Sequence, residues 1–385
     1  KLRSRARLCL RETADSRLVE VADSFSRRMD TVSHGIAGSV FSRMLTDRPT
    51  ARAALVLGLI GAMLPDADLF FLNTRIDYLR GHRGWTHTFV LLPVFAIALA
   101  ALAKLIYRYA RHARLSVLTL FAAVGIATHI AFDWITSFGI MFFIPFSRHR
   151  FALDWVFILD PFFTGIVSVA LLLTTIFRPR GRFLASLGSV LLVAYVGFCA
   201  ILHARALSIW RRIDAPPPGA KIAVLPQFLS PFRWLGLTER PNEIHVAFFD
   251  IGPFAKGDPS PRPPARLSEV LSSLRAFYPP PARAQIQRYQ KAPPSPALLA
   301  AEKLPEVRTY LDFARFPLAT VKGEPDGSTT VSFQDLRFLP WFTGPWQREP
   351  RGGGVRFRRQ PFVYRVTLDR AGRPLQRGFV EAAVH

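Results

Sequence analysis

The sequence of 385 residues contains few cysteines and few acidic residues. Its two cysteines, Cys9 in a basic leader and Cys199 in an apolar run, argue against both a disulfide framework and a thiolate metal site. Only 27 Asp and Glu oppose 50 Lys and Arg, which gives a formal net charge of +23. The basic residues are spread through loops without a recognisable nucleic-acid-binding motif, so we expect no nucleic-acid partner.

Charged residues are scarce as a class, at 20% of the chain, while 50% is hydrophobic and the mean hydropathy is +0.20. This composition is too apolar for an average soluble protein. A bilayer core requires about 20 residues of helix. The first half therefore predicts an all-α membrane helical bundle of about five membrane helices over residues 29–210, in the inner (cytoplasmic) membrane with lipids as partners. The apolar runs that predict these helices are residues 53–64, 89–107, 116–146, 156–177 and 183–204.

The composition changes beyond residue 214, where 25 of the 31 prolines occur. The patterns there predict a small α+β soluble domain over residues 215–385. Its predicted strands and helices are strands 222–225, 243–251, 329–333 and 362–368 and helices 264–277 and 295–313. Residues 1–28 contain eight Lys or Arg and no long apolar stretch. They are not typical of a cleavable signal peptide, and we interpret them as a basic, disordered arm or a start-site artefact.

Polar residues in the apolar half fall in a few compact groups. Ionisable groups are costly in membrane helices and usually mark function. If the first two helices are antiparallel, His34 at the start of one and Asp66 at the end of the other lie at the same end of the bundle. His82 and His87 then open the next helix on that side. His129 and Asp133 follow about 20 Å along the returning helix, at 1.5 Å per residue.

Each of these groups also has an ordinary structural interpretation. His129 and Asp133 are four residues apart and can hold one cation, yet such a pair is more often a hydrogen-bonded core pair. Asp66 and Asp68 fit turn chemistry, and His82 and His87 fit a membrane interface. Together, however, so many His and Asp are costly to desolvate without a compensating charge. We therefore predict a divalent metal site, with zinc as the metal and manganese as the alternative. Its predicted ligands are His34, Asp66, His82, His87, His129 and Asp133.

Four motifs carry a resemblance to a known family. They are MDTVSHG at residues 29–35, LPDAD at 64–68, GHRGWTHT at 81–88 and HIAFD at 129–133. As a set they resemble the YdjM-like family of LexA-regulated, membrane-bound metal-dependent hydrolases, over about residues 29–165. Thr88 stands where Ser is common in the family pattern. The resemblance implies a membrane-bound, metal-dependent hydrolase, and it transfers no role to the Pro-rich tail.

The order of the His and Asp groups is also similar to that of zinc-dependent phospholipases C and related nucleases. In such a site divalent ions would polarise a phosphoryl oxygen and lower the pKa of a water molecule from about 15.7 toward 7. We assign Asp68 to orienting or deprotonating that water, or equally to orienting a histidine, and Arg83 to pairing with an anionic head group.

The predicted function is thus an integral membrane metal-dependent hydrolase that acts on a phosphoester or lipid-like amphiphile. The alternative is a non-enzymatic membrane regulator, or an ion or metal transporter, that uses the same His and Asp cluster. A transporter favours paired repeats, and neither the PDAD nor the HIAFD motif has a second copy.

The distribution of basic residues predicts which side of the membrane the site faces. Nine lie in the loops opposite the site and five on the site side, so the positive-inside rule predicts an extracytoplasmic site and C-terminal domain. The basic leader argues the other way. The short connection after residue 204 predicts that the C-terminal domain lies over the mouth of the site. The basic residues in the loops opposite the site are Arg48, Arg52, Lys104, Arg108, Arg111, Arg114, Arg178, Arg180 and Arg182. Those on the site side are Arg75, Arg80, Arg83, Arg148 and Arg150.

Overall fold

The computed structural model describes residues 31–106, 110–253, 276–339 and 362–380. The leader and nearly all of the predicted helix 264–277 lie outside these residues. The chain forms two compact units. The first comprises Lys1–Asp68, Arg83–Leu153 and Ile158–Gly197, and the second comprises Leu69–His82, Asp154–Phe157 and Phe198–His385. The second unit therefore takes two short segments from the helical half of the sequence.

The first half of the chain is helical. Its helices are α1 (31–43), α2 (Ala51–Met63), α3 (Arg75–Gly81), α4 (Leu92–Ile106), α5 (Leu115–Trp134), α6 (Pro161–Ile176) and α7 (Gly181–Asp214). Of these, α3 belongs to the second unit, and α7 begins in the first unit and ends in the second. The helix α6 begins with a proline, which suits the first helical position because its missing N–H would have no helical partner.

Two of the described helical segments, Leu115–Trp134 and Arg178–Asp214, are long and apolar enough to cross a membrane. Arg75–His87 and Leu92–Ile106 make a third if they are counted together, while α2 and α6 are shorter. The predicted number of five membrane helices is therefore not confirmed. The apolar run 116–146 is longer than its helix, because the chain leaves helical geometry after Trp134 and turns through Gly139 at a φ of 90°. Such a positive φ favours glycine.

Close backbone contacts join α1, α2 and α5 in the first unit. A Cβ added to Gly58 would lie 2.3 Å from the carbonyl oxygen of Gly38, and one added to Gly125 would lie 2.5 Å from that of Gly58. Glycine at these positions lets the three helices approach until their backbones touch. This contact sets the spacing of the three elements that carry His34, Asp66 and His129.

The second unit contains two four-stranded antiparallel sheets, in the orders β1-β2-β3-β4 and β5-β6-β7-β8. The strands are β1 (Lys221–Gln227), β2 (Ser230–Glu239), β3 (Glu243–Asp250), β4 (Gln287–Gln290), β5 (Pro317–Gly323), β6 (Thr329–Asp335), β7 (Val363–Leu368) and β8 (Pro374–Val380). The four predicted strands correspond to β1, β3, β6 and β7, whereas β2, β4, β5 and β8 were not predicted. The predicted helix 295–313 is two helices, α8 (Pro296–Glu302) and α9 (Pro305–Phe313), because a proline interrupts helical hydrogen bonding.

Polar contacts explain why segments from the helical half belong to the second unit. In α3, Arg80 donates a hydrogen bond to the hydroxyl of Thr309 in α9 at 3.1 Å. The guanidinium of Arg315 donates to both carboxylate oxygens of Asp154 at 2.8 and 2.9 Å. Such a two-point pair fixes direction as well as distance. The segments Leu69–His82 and Asp154–Phe157 are thereby part of the fold of the C-terminal half.

Candidate metal centre

Four chain segments of the first unit bring the predicted ligands together. His34 lies in the first turns of the described part of α1, and Asp66 and Asp68 lie in a short 3-10 helix, Pro65–Phe70, that follows α2. His87 ends another 3-10 turn, Trp85–His87. His129 and Asp133 lie on one face of the last turns of α5. All three of these histidines and Asp133 are buried.

The core of the site is a set of nitrogen and oxygen atoms around one point. The Nε2 atoms of His87 and His129 are 3.1 Å apart. Oδ1 of Asp66 lies 3.6 and 3.5 Å from these two nitrogens, and Oδ2 of Asp133 lies 3.3 and 3.5 Å from them. Each carboxylate therefore forms a triangle with the same two imidazoles.

Hydrogen bonds determine which nitrogen of His129 carries the proton. Its Nδ1 lies 2.6 Å from the carbonyl oxygen of Ala62, which can only accept, so this nitrogen donates. The proton is thereby placed on Nδ1, and Nε2 presents a lone pair toward His87 and the carboxylates. A backbone carbonyl that orients a histidine in this way is typical of metal sites.

Two successive hydrogen bonds, from Thr86 to Asp68 and from His87 to Thr86, orient the ring of His87 in the same way as that of His129. The hydroxyl of Thr86 donates to Oδ2 of Asp68 at 3.1 Å, so its oxygen is left to accept from Nδ1 of His87 at 2.9 Å. The proton of His87 is again on Nδ1, and its Nε2 carries a lone pair. With these tautomers, the Nε2 atoms of both histidines are turned toward the two carboxylates.

Arg83 holds the Asp133 carboxylate in place. One terminal nitrogen of the guanidinium lies 2.7 Å from Oδ1 of Asp133, and the other donates to Thr136 at 3.1 Å. This pairing leaves Oδ2 of Asp133 facing the histidines, where it is buried and has no hydrogen-bond partner among the described residues. Arg83 is itself 2% exposed and has a φ of 61°, an uncommon left-handed conformation for a residue with a side chain.

His34 and Thr31 approach the same cluster from α1. Nδ1 of His34 lies 3.1 Å from Nδ1 of His129, and the two rings are in edge contact at 4.4 Å between centroids. The hydroxyl of Thr31 donates to Oδ2 of Asp66 at 2.5 Å. Two groups in this unit could hold a metal ion, namely His34 with His129 and Asp133, and Asp66 with His87 and His129.

Two further polar residues have contacts of their own. His82 belongs to the second unit, where it is buried and its ring stacks on Tyr78 at 4.6 Å; its predicted role as a ligand stays a prediction. Asp160 accepts hydrogen bonds from the backbone N–H groups of Phe162 and Phe163 at 2.8 and 2.9 Å. These two bonds make Asp160 the N-cap of α6.

Three groups at the site were not predicted from the sequence. They are the hydroxyl groups of Thr31 and Thr86 and the carbonyl oxygen of Ala62. Both threonines stand in the motifs that carry the resemblance, three residues before His34 and directly before His87, so their positions offered a signal. The Ala62 carbonyl offered none, since a backbone oxygen has no sequence signature.

Comparison with known proteins agrees with these motifs. Residues 29–206 match the family described as YdjM inner membrane protein, which confirms the resemblance. The match covers the helical half of the chain. Together with its apolar helices, the family name indicates an integral inner-membrane protein.

Two curated proteins are similar to parts of this chain. The uncharacterized protein YfhP of Bacillus subtilis (strain 168) is 30% identical over 142 residues, which are 35% of this chain and 42% of that protein. The inner membrane protein YbcI of Escherichia coli (strain K12) is 35% identical over 105 residues, 26% of this chain and 58% of that protein. The matches thus span about half the length of each relative. No solved structure matches the chain.

Proposed function

We propose that this protein is a membrane-embedded, divalent-metal hydrolase that acts on a phosphoester or lipid-like amphiphile. The observation that carries the proposal is the convergence of two imidazole nitrogens and two carboxylate oxygens, with nitrogen–nitrogen and nitrogen–oxygen distances of 3.1 to 3.6 Å. The two carboxylates carry like charges, which repel one another in a buried setting. A cation between them removes the repulsion.

The spacing of the donor atoms suits zinc. Atoms bound to one tetrahedral zinc ion at about 2.0–2.1 Å lie about 3.3–3.4 Å apart. Both triangles that contain His87 and His129 have sides close to this value. Imidazole nitrogen and carboxylate oxygen are also ordinary ligands of zinc, and manganese accepts the same donors with a greater preference for oxygen.

The charge balance of the cluster supports a divalent ion. The carboxylates of Asp66, Asp68 and Asp133 contribute three negative charges, and the guanidinium of Arg83 contributes one positive charge. With neutral histidines, one divalent cation offsets the remaining two negative charges. Uncompensated charge at this depth would cost several kcal/mol per group.

The protein's own residues position the site. A bound divalent ion would polarise a phosphoryl oxygen and lower the pKa of water. His87, His129 and Asp66 would hold it, because three protein ligands leave a zinc position for water, and His34 with His129 and Asp133 is a second group that could hold an ion. Asp68 orients His87 through Thr86, and Arg83 orients Asp133, so both act as positioning residues in this proposal.

A metal and activity assay tests the proposal on the full chain in detergent. Metal content is measured on the unchanged protein, on His129→Gln and on the matched control His149→Gln, whose histidine is exposed in the same unit. Lipid and soluble phosphodiesters are then supplied before and after chelation. We expect His129→Gln alone to lose metal and chelator-sensitive hydrolysis.

The possible outcomes separate the competing functions. Bound metal without hydrolysis of any phosphoester would favour a regulator or transporter over an enzyme. Equal metal content in His129→Gln and His149→Gln would remove His129 from the site. A protein that neither contains metal nor binds added zinc or manganese would refute the metal centre itself.

A further inference from the structure

The turn between β1 and β2 is apolar and exposed. Gln227 pairs with Ser230, so the loop consists of Phe228 and Leu229 alone. Their side chains are 47% and 42% exposed. Two-residue hairpin loops normally contain Asn-Gly or similar residues, because these adopt positive φ at little cost.

Leu229 adopts such a conformation despite its side chain, with a φ of 65°. The left-handed region brings a Cβ close to the backbone, so leucine is strained there where glycine or asparagine would not be. Strain of this kind persists where the residue has another role. In water, a polar residue would be favoured at this tip because its side chain would be solvated. Glycine or asparagine would also be favoured because they adopt a positive φ at little cost.

The hairpin follows α7 toward the apolar part of that helix. Trp210 donates a hydrogen bond to Thr238 in β2 at 3.0 Å, near the end of α7. Further along, the ring of His203 lies 5.7 Å from that of Trp234. The contact between Phe198 and Phe232 follows, at 6.0 Å. In these three contacts the residue numbers decrease in α7 and in β2 alike. Followed from Thr238 toward Phe232, β2 therefore runs along α7 away from Asp214.

The charges on α7 indicate where its apolar part begins. Between Arg182 and Arg205 the helix contains no Lys, Arg, Asp or Glu, and Ile201 is 69% exposed although apolar. Phe198 lies about 10 Å beyond Arg205 into this apolar part, at 1.5 Å per helical residue. The tip precedes Phe232 in the sequence by only three residues, across an irregularity in the pairing of β1 with β2.

We infer that Phe228 and Leu229 insert into the hydrocarbon of the bilayer beside α7. The partner of this surface is lipid, because β2 runs toward the part of α7 that lacks charged residues, where the exposed Phe198 and Ile201 are apolar. Phe157 packs against Phe228 at 5.7 Å and extends the apolar surface. The C-terminal unit is then attached to the membrane at two points, the end of α7 and the first hairpin.

Depth-dependent fluorescence quenching tests this inference on the full chain in lipid nanodiscs. Cys9→Ser and Cys199→Ser remove the native thiols, and a fluorophore is attached at Leu229→Cys. The matched control is Ala371→Cys, in the exposed turn between β7 and β8. Spin-labelled lipid should quench Leu229→Cys more than aqueous iodide does, with the reverse order for Ala371→Cys.

A second variant separates insertion from any effect of the label. Phe228→Asn with Leu229→Gly is a turn that fits this loop better, so the hairpin should still form. A fluorophore at Ser230→Cys should lose lipid quenching in that variant and retain it with the native tip. Equal iodide quenching at Leu229→Cys and Ala371→Cys would overturn the inference. Protection of Leu229→Cys from both quenchers would also overturn it, because a protein partner would then cover the tip.

Discussion

The glycine contact between α1 and α2 allows the strongest test of how the fold builds the metal centre. A Cβ added to Gly58 would lie 2.3 Å from the carbonyl oxygen of Gly38 and 2.6 Å from the hydroxyl of Ser42. The serine side chain can rotate away, whereas the carbonyl belongs to the helix backbone. Gly58→Ala therefore forces α1 and α2 apart by about 1 Å, since ordinary carbon contacts are about 3.5 Å.

The expected effect on stability follows from overpacking. Forced shifts of packed backbone cost about 1–3 kcal/mol of the free energy of unfolding. The same shift separates Thr31 and His34 on α1 from Asp66, which follows α2. Metal sites tolerate changes in ligand distance of only about 0.2 Å. We thus expect weaker metal binding as well as a lower melting temperature.

The control is Gly165→Ala in α6, where an added Cβ meets nothing within 4 Å. Alanine is favoured over glycine in a helix by about 0.5–1 kcal/mol, so this variant should be as stable as the unchanged protein or more stable. Melting temperature and zinc stoichiometry are measured for both variants in the same detergent. A Gly58→Ala protein with full zinc content and the melting temperature of Gly165→Ala would refute the packing argument.

Three further predictions concern single polar contacts. Thr86→Val should weaken metal affinity by about 10- to 100-fold because it breaks the two hydrogen bonds that orient His87, whereas Thr86→Ser should restore binding, as measured by competition with a zinc indicator. Asp160→Ala removes the cap of α6 and should cost about 0.5–2 kcal/mol in thermal stability at unchanged metal content; lost metal would instead place it in the site. Asp335→Asn removes the carboxylate charge 2.7 Å from the buried guanidinium of Arg337, and breaking this buried ion pair should cost about 3–5 kcal/mol. A melting temperature within one or two degrees of the unchanged protein would contradict the last prediction.

Two statements about placement in the membrane stay predictions. They are the extracytoplasmic location of the site and the position of the C-terminal domain over its mouth. Arg83 keeps its predicted role toward an anionic head group as a hypothesis, beside its observed contact with Asp133. Reporter fusions near Arg111 and after Asp214 would decide sidedness, since each reports one side of the membrane.

Local chemistry explains what could be predicted from the sequence. Ionisable residues are rare in apolar helices, so His87, His129 and Asp133 stand out against their surroundings without any structure. The spacing of four residues between His129 and Asp133 implies a shared helix face, which the structure has. The change in composition near residue 214 likewise separates the apolar helices from the sheets, because each half repeats its own pattern over many residues.

Tertiary structure decided the rest, because it depends on contacts between distant residues. Helix length did not follow from apolar runs, since a run such as 116–146 stays apolar where the backbone turns. The proton positions on His87 and His129 are determined by Thr86 with Asp68 and by a backbone carbonyl, and no pattern encodes the latter. The inclusion of Leu69–His82 in the second unit follows from contacts with residues more than two hundred positions away. Periodicity reports the face of an element, whereas only packing determines which faces meet.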